Sequence, residues 1–519
     1  MPLVRAAIIA ALFLFAFALP GVAQDVTLIS RDGDVEISGN LLGYDGEFYR
    51  VDTVYGELTV DGSGVLCEGP GCPNLENYVA RVTLSGAPVI GRVLIPALLE
   101  AFAIRYDYDL ERTDLDERQI LFSLTDSESD RLLGEFTVKL SNTDEGFADL
   151  LANEADMVMS LREVRRDERT HARAAGMGDL AASGRSRIVA LDALVPVVAA
   201  SNPVQGITTP ELAQVLSGEI ANWADLGGPD APITVHVVSG RSGLGQATVD
   251  RLLTPTGSAL TDQAKRHEDG LALVQALERD PFGLGVTSRS ETGNTWELAL
   301  KGACGFSLRA TRRAVKTEDY PLTTPLFLYL PARRFPSLMR DFLTYLRDPS
   351  AQLVVRRAGF VDQAPEEIAI SLQGDRFANA IAQAGDEVEL AELQRMVRVL
   401  SPMKRLTTTF RFEAGSVRLD AQSRSNVQQL ARSLEVGNYD ARRLVFVGFS
   451  DGDGPAESNR AIAMRRAEAV RRAVSDAAET ANLSRIAIET EAFGEAMPMA
   501  CDDSEWGRQV NRRVEVWVR

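Results

Sequence analysis

Histidine is nearly missing from this 519-residue chain, which holds only His171, His236 and His267. None stands at a spacing that pairs it with a nucleophile or a second metal ligand, so neither a histidine-assisted triad nor a zinc site is expected. Cysteine is also scarce: Cys67, Cys72, Cys304 and Cys501 are the only four, and neither sequential pair has a second ligand pair at zinc-site spacing. Beyond the first twenty residues no long apolar run occurs, so no spanning helix is expected downstream. Positive charge is in deficit, with 55 Lys and Arg against 73 Asp and Glu and a net charge of -18, which argues against a nucleic acid partner. The glycine-rich stretch from Gly240 to Thr248 has Gln246 where a phosphate-cradling loop needs lysine. Gly240-Arg241-Ser242-Gly243-Leu244 likewise misses the last glycine of a nucleophile elbow. No enzyme and no cofactor is expected.

What is there begins with a leader. Arg5 precedes an apolar run from Ala6 to Leu19 that ends at Gly21-Val22-Ala23, the pattern of a secretory signal cleaved after Ala23. The alternative, a retained signal anchor, needs a longer run than this one. No cysteine follows the cleavage point to carry a lipid. An exported chain permits disulfides, and Cys67 and Cys72, separated by Glu-Gly-Pro-Gly, are placed to form one. Whether Cys304 meets Cys501 stays open. Residues 24–76 alternate apolar with polar and turn at Asp-Gly pairs at 32, 45 and 61, which predicts a small all-β module.

Residues 78–365 change pattern: β-branched runs at 155–161, 186–200 and 231–239 alternate with helical periods, as in an α/β domain. Thr209 as cap, Pro210 in the first turn and Gly218 as stop predict one of the helices. The stretches LSGAPVIGRVLIPALLEAF, GFADLLANEADMVMSLREV, ALDALVPVVAASNPV, ITTPELAQVLSGEIANWADLGG and VKTEDYPLTTPLFLYLP, in this order, resemble the periplasmic phosphate-type (PstS-like, type II) substrate-binding proteins of ABC importers. The resemblance implies two lobes around a cleft and a ligand site on Gly86, Ala87, Ser160, Arg162, Asp192, Ser242 and Gly243. This chain departs from the family there. The first loop, Gly86-Ala87-Pro88-Val89, has lost the family's hydroxyl and amide donors and one backbone N–H. Leu161 and Leu244 replace a further serine and threonine. The expectation is a domain that keeps the fold and binds phosphate weakly or not at all.

Residues 366–404 read as a helical linker, and 405–519 as strands and helices in β-α-β-α-β order. Gly448-Phe449-Ser450-Asp451 with Gly454, Asn459, Arg466-Ala467, Val470, Phe493-Gly494-Glu495 and Asn511-Arg512-Arg513-Val514-Glu515 resemble the OmpA-like peptidoglycan-binding domain. That resemblance implies a site for the diaminopimelate of the stem peptide, built on Asp451, Asn459, Arg466 and Arg513. A zwitterion needs one fixed anion and one fixed cation, and Asp451 and Arg466 supply that pair.

The expectation is therefore a multidomain α/β protein: a small N-terminal all-β module, a two-lobe periplasmic-binding-protein-like domain and a C-terminal OmpA-like α+β domain. It would be periplasmic and wall-associated in a Gram-negative envelope. Its partners would be peptidoglycan and a small oxyanion or a protein. The competing reading is an envelope scaffold whose binding fold has lost its small ligand.

Overall fold

The computed structural model describes residues 25–519 apart from 32, 75–77, 183, 241, 303, 386 and 414, so the expected leader lies outside the described residues. They fall into two compact units. One holds the chain up to Arg81 with Ser123–Glu135 and Arg334–Leu343; the other holds Val82–Phe122, Phe136–Arg333 and Thr344–Arg519. Among the described residues no helix is long and apolar enough to cross a membrane.

In the first unit the alternating sequence forms five antiparallel strands, Val26–Ser30, Glu36–Tyr44, Phe48–Thr53, Gly56–Asp61 and Val65–Glu68, in spatial order fourth, third, second, first, fifth. Alternation sends every second side chain to one face. Val26, Leu28, Tyr49 and Val51 close a small core there. Cys67 and Cys72 are disulfide-bonded, with Cα atoms 5.8 Å apart. Arg334 lies 4.1 Å over the Phe48 ring and pairs with Asp45 at 2.5 Å and Glu47 at 2.6 Å, which widens a core too small to be secure alone.

In the second unit, Met157–Ser160 runs parallel to the Leu84–Gly86 end of its neighbouring strand and antiparallel to Thr323–Tyr329. Thr323–Tyr329 pairs along the 13-residue strand Ser186–Val198, whose second half pairs with Gly283–Ser288. Thr234–Val238 and Lys265–His267 complete that side. Ser186–Val198 is an apolar run buried along nearly its whole length, as befits a strand covered on both faces, and it carries the sheet from one α/β lobe into the other. The helix Thr209–Ser217 ends at Gly218 in the left-handed region, and its cap is one residue earlier than expected. Thr208 takes that place because its hydroxyl accepts the Glu211 N–H at 3.2 Å while the Glu211 carboxylate accepts the Thr208 N–H at 2.8 Å.

The C-terminal sheet has the order Glu367–Ile368, Lys404–Phe410, Arg513–Val518, Arg443–Phe449, Ala487–Gly494. It extends the expected pattern by a central strand, Arg513–Val518, all six of whose residues are buried. Helices Ala421–Glu435 and Ala456–Ala477 cover one face around Leu430, Phe446, Val470 and Val516. Residues 366–404 do more than link. They give the sheet an edge strand and cover its second face with helices Gly374–Ala382 and Leu390–Leu400. The cause is an apolar stripe at helical spacing, Leu393, Met396 and Leu400, which packs with Val445, Val447 and Trp517. Cys304 and Cys501 form a second disulfide that ties the middle of the chain to this module.

Candidate functional site

Two places concentrate the expected site residues. The first lies between the lobes of the middle domain. Gly86 ends its strand with φ +138°, and a Cβ there would stand 2.1 Å from the Met159 carbonyl oxygen, so only glycine fits. Ala87 donates its N–H to that same oxygen at 2.9 Å, which removes this amide from any ligand. Ala87 is fully buried, and Gly243 of the opposite lobe sits on it. A Cβ on Gly243 would lie 2.8 Å from the Ala87 Cβ and 3.3 Å from Leu161 Cδ1. Apolar packing thus occupies part of the place where the two loops meet.

The Ser160 hydroxyl is buried and donates to the Arg162 carbonyl at 2.6 Å. Arg162 donates to Glu168 at 2.9 Å, pairs with Asp144, and lies 5.2 Å over the Phe147 ring. Its charge is neutralised within the protein. Asp192, Ser242 and Gly243 line a cavity of about 260 Å³; Gly86, Ala87, Ser160 and Arg162 do not. Ser242 caps the helix Gly243–Thr248 by accepting the Gly245 N–H at 3.1 Å. Asp192 accepts from Ser288, from the Ser290 hydroxyl at 2.8 Å and from the Ala193 N–H at 2.8 Å. Burial pushes its carboxyl up all the same. Glu291 in the same wall is also pushed up, by burial and then by Asp192 and Asp269. Val89, Val93, Leu194, Leu244 and Leu326 supply apolar surface, Glu268 and Asp269 add acid, and Arg92 is the one basic side chain among the described lining residues. Such a cavity can hold an apolar body and accept hydrogen bonds from a donor or cationic end. It opposes a phosphate dianion with carboxyl groups.

The second place is one end of the C-terminal sheet. Asp451 follows the strand Arg443–Phe449, and the helix Ala456–Ala477 carries Asn459 and Arg466 two turns apart. Gly448 lets helix and strand close up, since a Cβ there would meet the Ala463 carbonyl oxygen at 2.1 Å. Arg466 is only 7% exposed and lies 5.2 Å over the Phe412 ring. Among the described residues its guanidinium makes no hydrogen bond or ion pair, and its buried Nε has no partner. Burial and then Arg512 push it down, while Asp451 holds it up. Asp451 pairs with Arg512 at 2.9 Å. Asn459 spends its amide on the Gly454 carbonyl at 3.1 Å and on Glu495 at 2.5 Å. Arg513 stands in the core: its Nε donates to Glu515 at 2.7 Å, its Nη2 to the Met497 carbonyl at 3.0 Å, and burial pushes it down to about 10. Arg512, one residue earlier, is the neighbour that meets Asp451. The sequence offered no sign of this beyond two adjacent arginines at the start of a strand, of which only one can face inward. No cluster of three or more metal-ligating side chains occurs among the described residues.

Comparison with known proteins agrees with this division. Residues 82–349 match the family model described as PBP superfamily domain, and residues 411–512 match the OmpA family. Protein SphX of Synechococcus elongatus is 28% identical over 237 residues, 43% of this chain and 68% of that protein. The chain spans about two thirds of the length of the curated relatives it matches. Among solved structures, an ABC-type phosphate transport receptor from Vibrio cholerae aligns with TM-score 0.42 and 18% identity over 54% of this chain and 99% of that one. The peptidoglycan-associated lipoprotein from Burkholderia pseudomallei aligns with TM-score 0.19 and 28% identity over 22% and 90%.

Proposed function

This chain belongs to the PBP superfamily and carries an OmpA family module, and from that premise we propose that it is a non-enzymatic binding protein of the periplasm held non-covalently to peptidoglycan. The observation that carries the tether is Arg466, a buried arginine with no hydrogen-bond or ion-pair partner among the described residues and within the electrostatic reach of the Asp451 carboxylate. Leaving a desolvated guanidinium unpaired is costly, so the position makes physical sense as one half of a ligand site. The carboxylate of a diaminopimelate side chain completes it by accepting from the Arg466 fork, and the ammonium of the same side chain goes to Asp451.

The middle domain, on this reading, binds a small ligand in its interlobe cavity. Ala87, Leu161 and Gly243 packed together and the acidic wall of Asp192, Glu268, Asp269 and Glu291 support a ligand other than phosphate. The two domains together make a receptor held in place at the wall.

Co-sedimentation with purified diaminopimelate-type peptidoglycan tests the tether. The R466A chain should stay in the supernatant while keeping the wild-type circular dichroism, because the lost guanidinium leaves no hydrogen-bond or ion-pair partner orphaned. Undiminished sedimentation of a folded R466A chain overturns the assignment.

A further inference from the structure

A second cavity, of about 460 Å³, lies away from both sites described so far. Its walls come from the middle domain, around Ser186–Ile188 and Leu346–Pro349, and from the C-terminal module, through the helix Ala421–Glu435. Four arginines line it, Arg187, Arg347, Arg424 and Arg432, and no aspartate or glutamate is among the described lining residues. In a chain with a net charge of -18 this is a local reversal of sign.

The four are not equivalent. Arg424 donates to the Leu419 carbonyl at 2.7 Å and approaches Glu413 at 3.9 Å. Arg187, Arg347 and Arg432 make no side-chain hydrogen bond or ion pair among the described residues, and the buried Nε of Arg187 has no partner. Elsewhere this protein neutralises arginines readily: Arg162 and Arg405 each hold carboxylates. Here the guanidinium groups act on one another instead. Arg187, half-buried, is pushed down by burial and then by Arg432; Arg347, exposed at the mouth, is pushed down as well, by desolvation and then by Arg187 and Arg432. The like charges of Arg187, Arg347 and Arg432, gathered around one void with no carboxylate paired to them among the described residues, raise the energy of the empty state, and an anion entering the void lowers it.

We propose that this cavity is a second binding site, for a compact anion bearing two or more negative charges, of the polyphosphate or polycarboxylate class. The guanidinium fork matches carboxylate and phosphate oxygens alike, so the shared chemistry is a multiply charged oxyanion. A singly charged anion satisfies one fork and leaves the others unpaired. Because Arg187 and Arg347 belong to the middle domain and Arg432 to the wall-binding module, a bound anion is gripped from both sides and braces one against the other. This cavity shares no lining residue with the cavity between the lobes and none with the tether residues Asp451, Asn459, Arg466 and Arg512.

Calorimetric titration of the mature full-length chain with pyrophosphate, tripolyphosphate and citrate, at fixed ionic strength, tests it. Saturable binding at a stoichiometry of one is expected for at least one of the three, with the preferred anion deciding between the phosphate and carboxylate sources. R187Q combined with R432Q should weaken it at least 20-fold. R313Q with R472Q, which removes the same charge from exposed positions, should change it less than twofold. The single R347Q chain, altered only at the mouth, gives a second reading if the double variant does not fold. No saturable binding to any of the three anions overturns the proposal. So does binding that R187Q with R432Q, or R347Q in its place, leaves within twofold of wild type.

Discussion

Arg405 donates to both carboxylate oxygens of Asp319, at 2.7 Å and 3.0 Å, and joins the first long strand of the C-terminal sheet to the middle domain through a buried ion pair. Asp319 carries a lowered pKa against its own burial because Arg405 stands on it. Arg405 also reaches Glu515 at 3.3 Å, so it retains one partner when Asp319 is removed. D319A should therefore cost about 3 kcal/mol, at the lower end of what breaking a buried pair usually costs. Urea unfolding of the full chain measures it; a loss under 1 kcal/mol means the pair contributes little to joining the two parts.

The neighbouring Glu318 behaves in the opposite way. Burial pushes its carboxyl up to about 8, although Arg411 opposes the shift and Asn426 donates to it at 3.3 Å. Between the unfolded value near 4.5 and about 8, folded Glu318 keeps a proton that the unfolded chain has released. The unfolded state then binds fewer protons, so this group's contribution is fully present at low pH and is lost as pH rises through that window. E318Q should remove roughly 2 to 4 kcal/mol of the decline in stability between pH 5 and pH 8. Unfolding curves at both pH values decide, and an unchanged slope against pH refutes the assignment.

The two disulfides close loops of very different length, with sequence separations of 5 for Cys67–Cys72 and 197 for Cys304–Cys501. A longer closed loop restricts the unfolded chain more. C304S with C501S should cost roughly 2 to 5 kcal/mol, more than C67S with C72S. Peptide mapping under non-reducing conditions establishes the pairing first, and thermal unfolding of each double variant then ranks them. The reverse order would mean that native-state contacts, such as the Trp506 indole N–H on the Arg251 carbonyl at 3.1 Å, already hold the ends together without the bond.

The division into an alternating β module, a strand-and-helix middle and a C-terminal motif domain was legible because periodicity and spacing are local properties. What was not legible depends on which distant residues meet. The stripe Leu393, Met396, Leu400 reads as an amphipathic helix, but nothing in it says that its partners are Val445 and Val447. Arg162 keeps the residue type of a ligand contact, yet Glu168 and Asp144 neutralise it. His236 and His267, 31 positions apart and unremarkable in sequence, come together on adjacent parallel strands with ring nitrogens 2.9 Å apart. The second cavity was hidden for the same reason: Arg187, Arg347 and Arg432 become a cluster only after folding.

The contact between Ala87 and Gly243 offers a direct check on how tightly the two loops of the interlobe site are packed. A methyl group added at Gly243 would stand 2.8 Å from the Ala87 Cβ and 3.2 Å from its Cα, closer than packed carbon atoms tolerate. G243A should destabilise by about 1 to 3 kcal/mol, the usual range for overpacking. The clash is mainly with one carbon, so A87G should recover part of the loss, and a double-mutant cycle should show coupling of at least about 0.5 kcal/mol. Strict additivity would mean that the loops move apart freely and that the site is open in solution. Coupling of the expected sign means that a ligand able to occupy the place between Ala87, Leu161 and Gly243 has to separate the lobes first, a cost that a small hydrated anion held only by the remaining Ser242 is poorly equipped to offset.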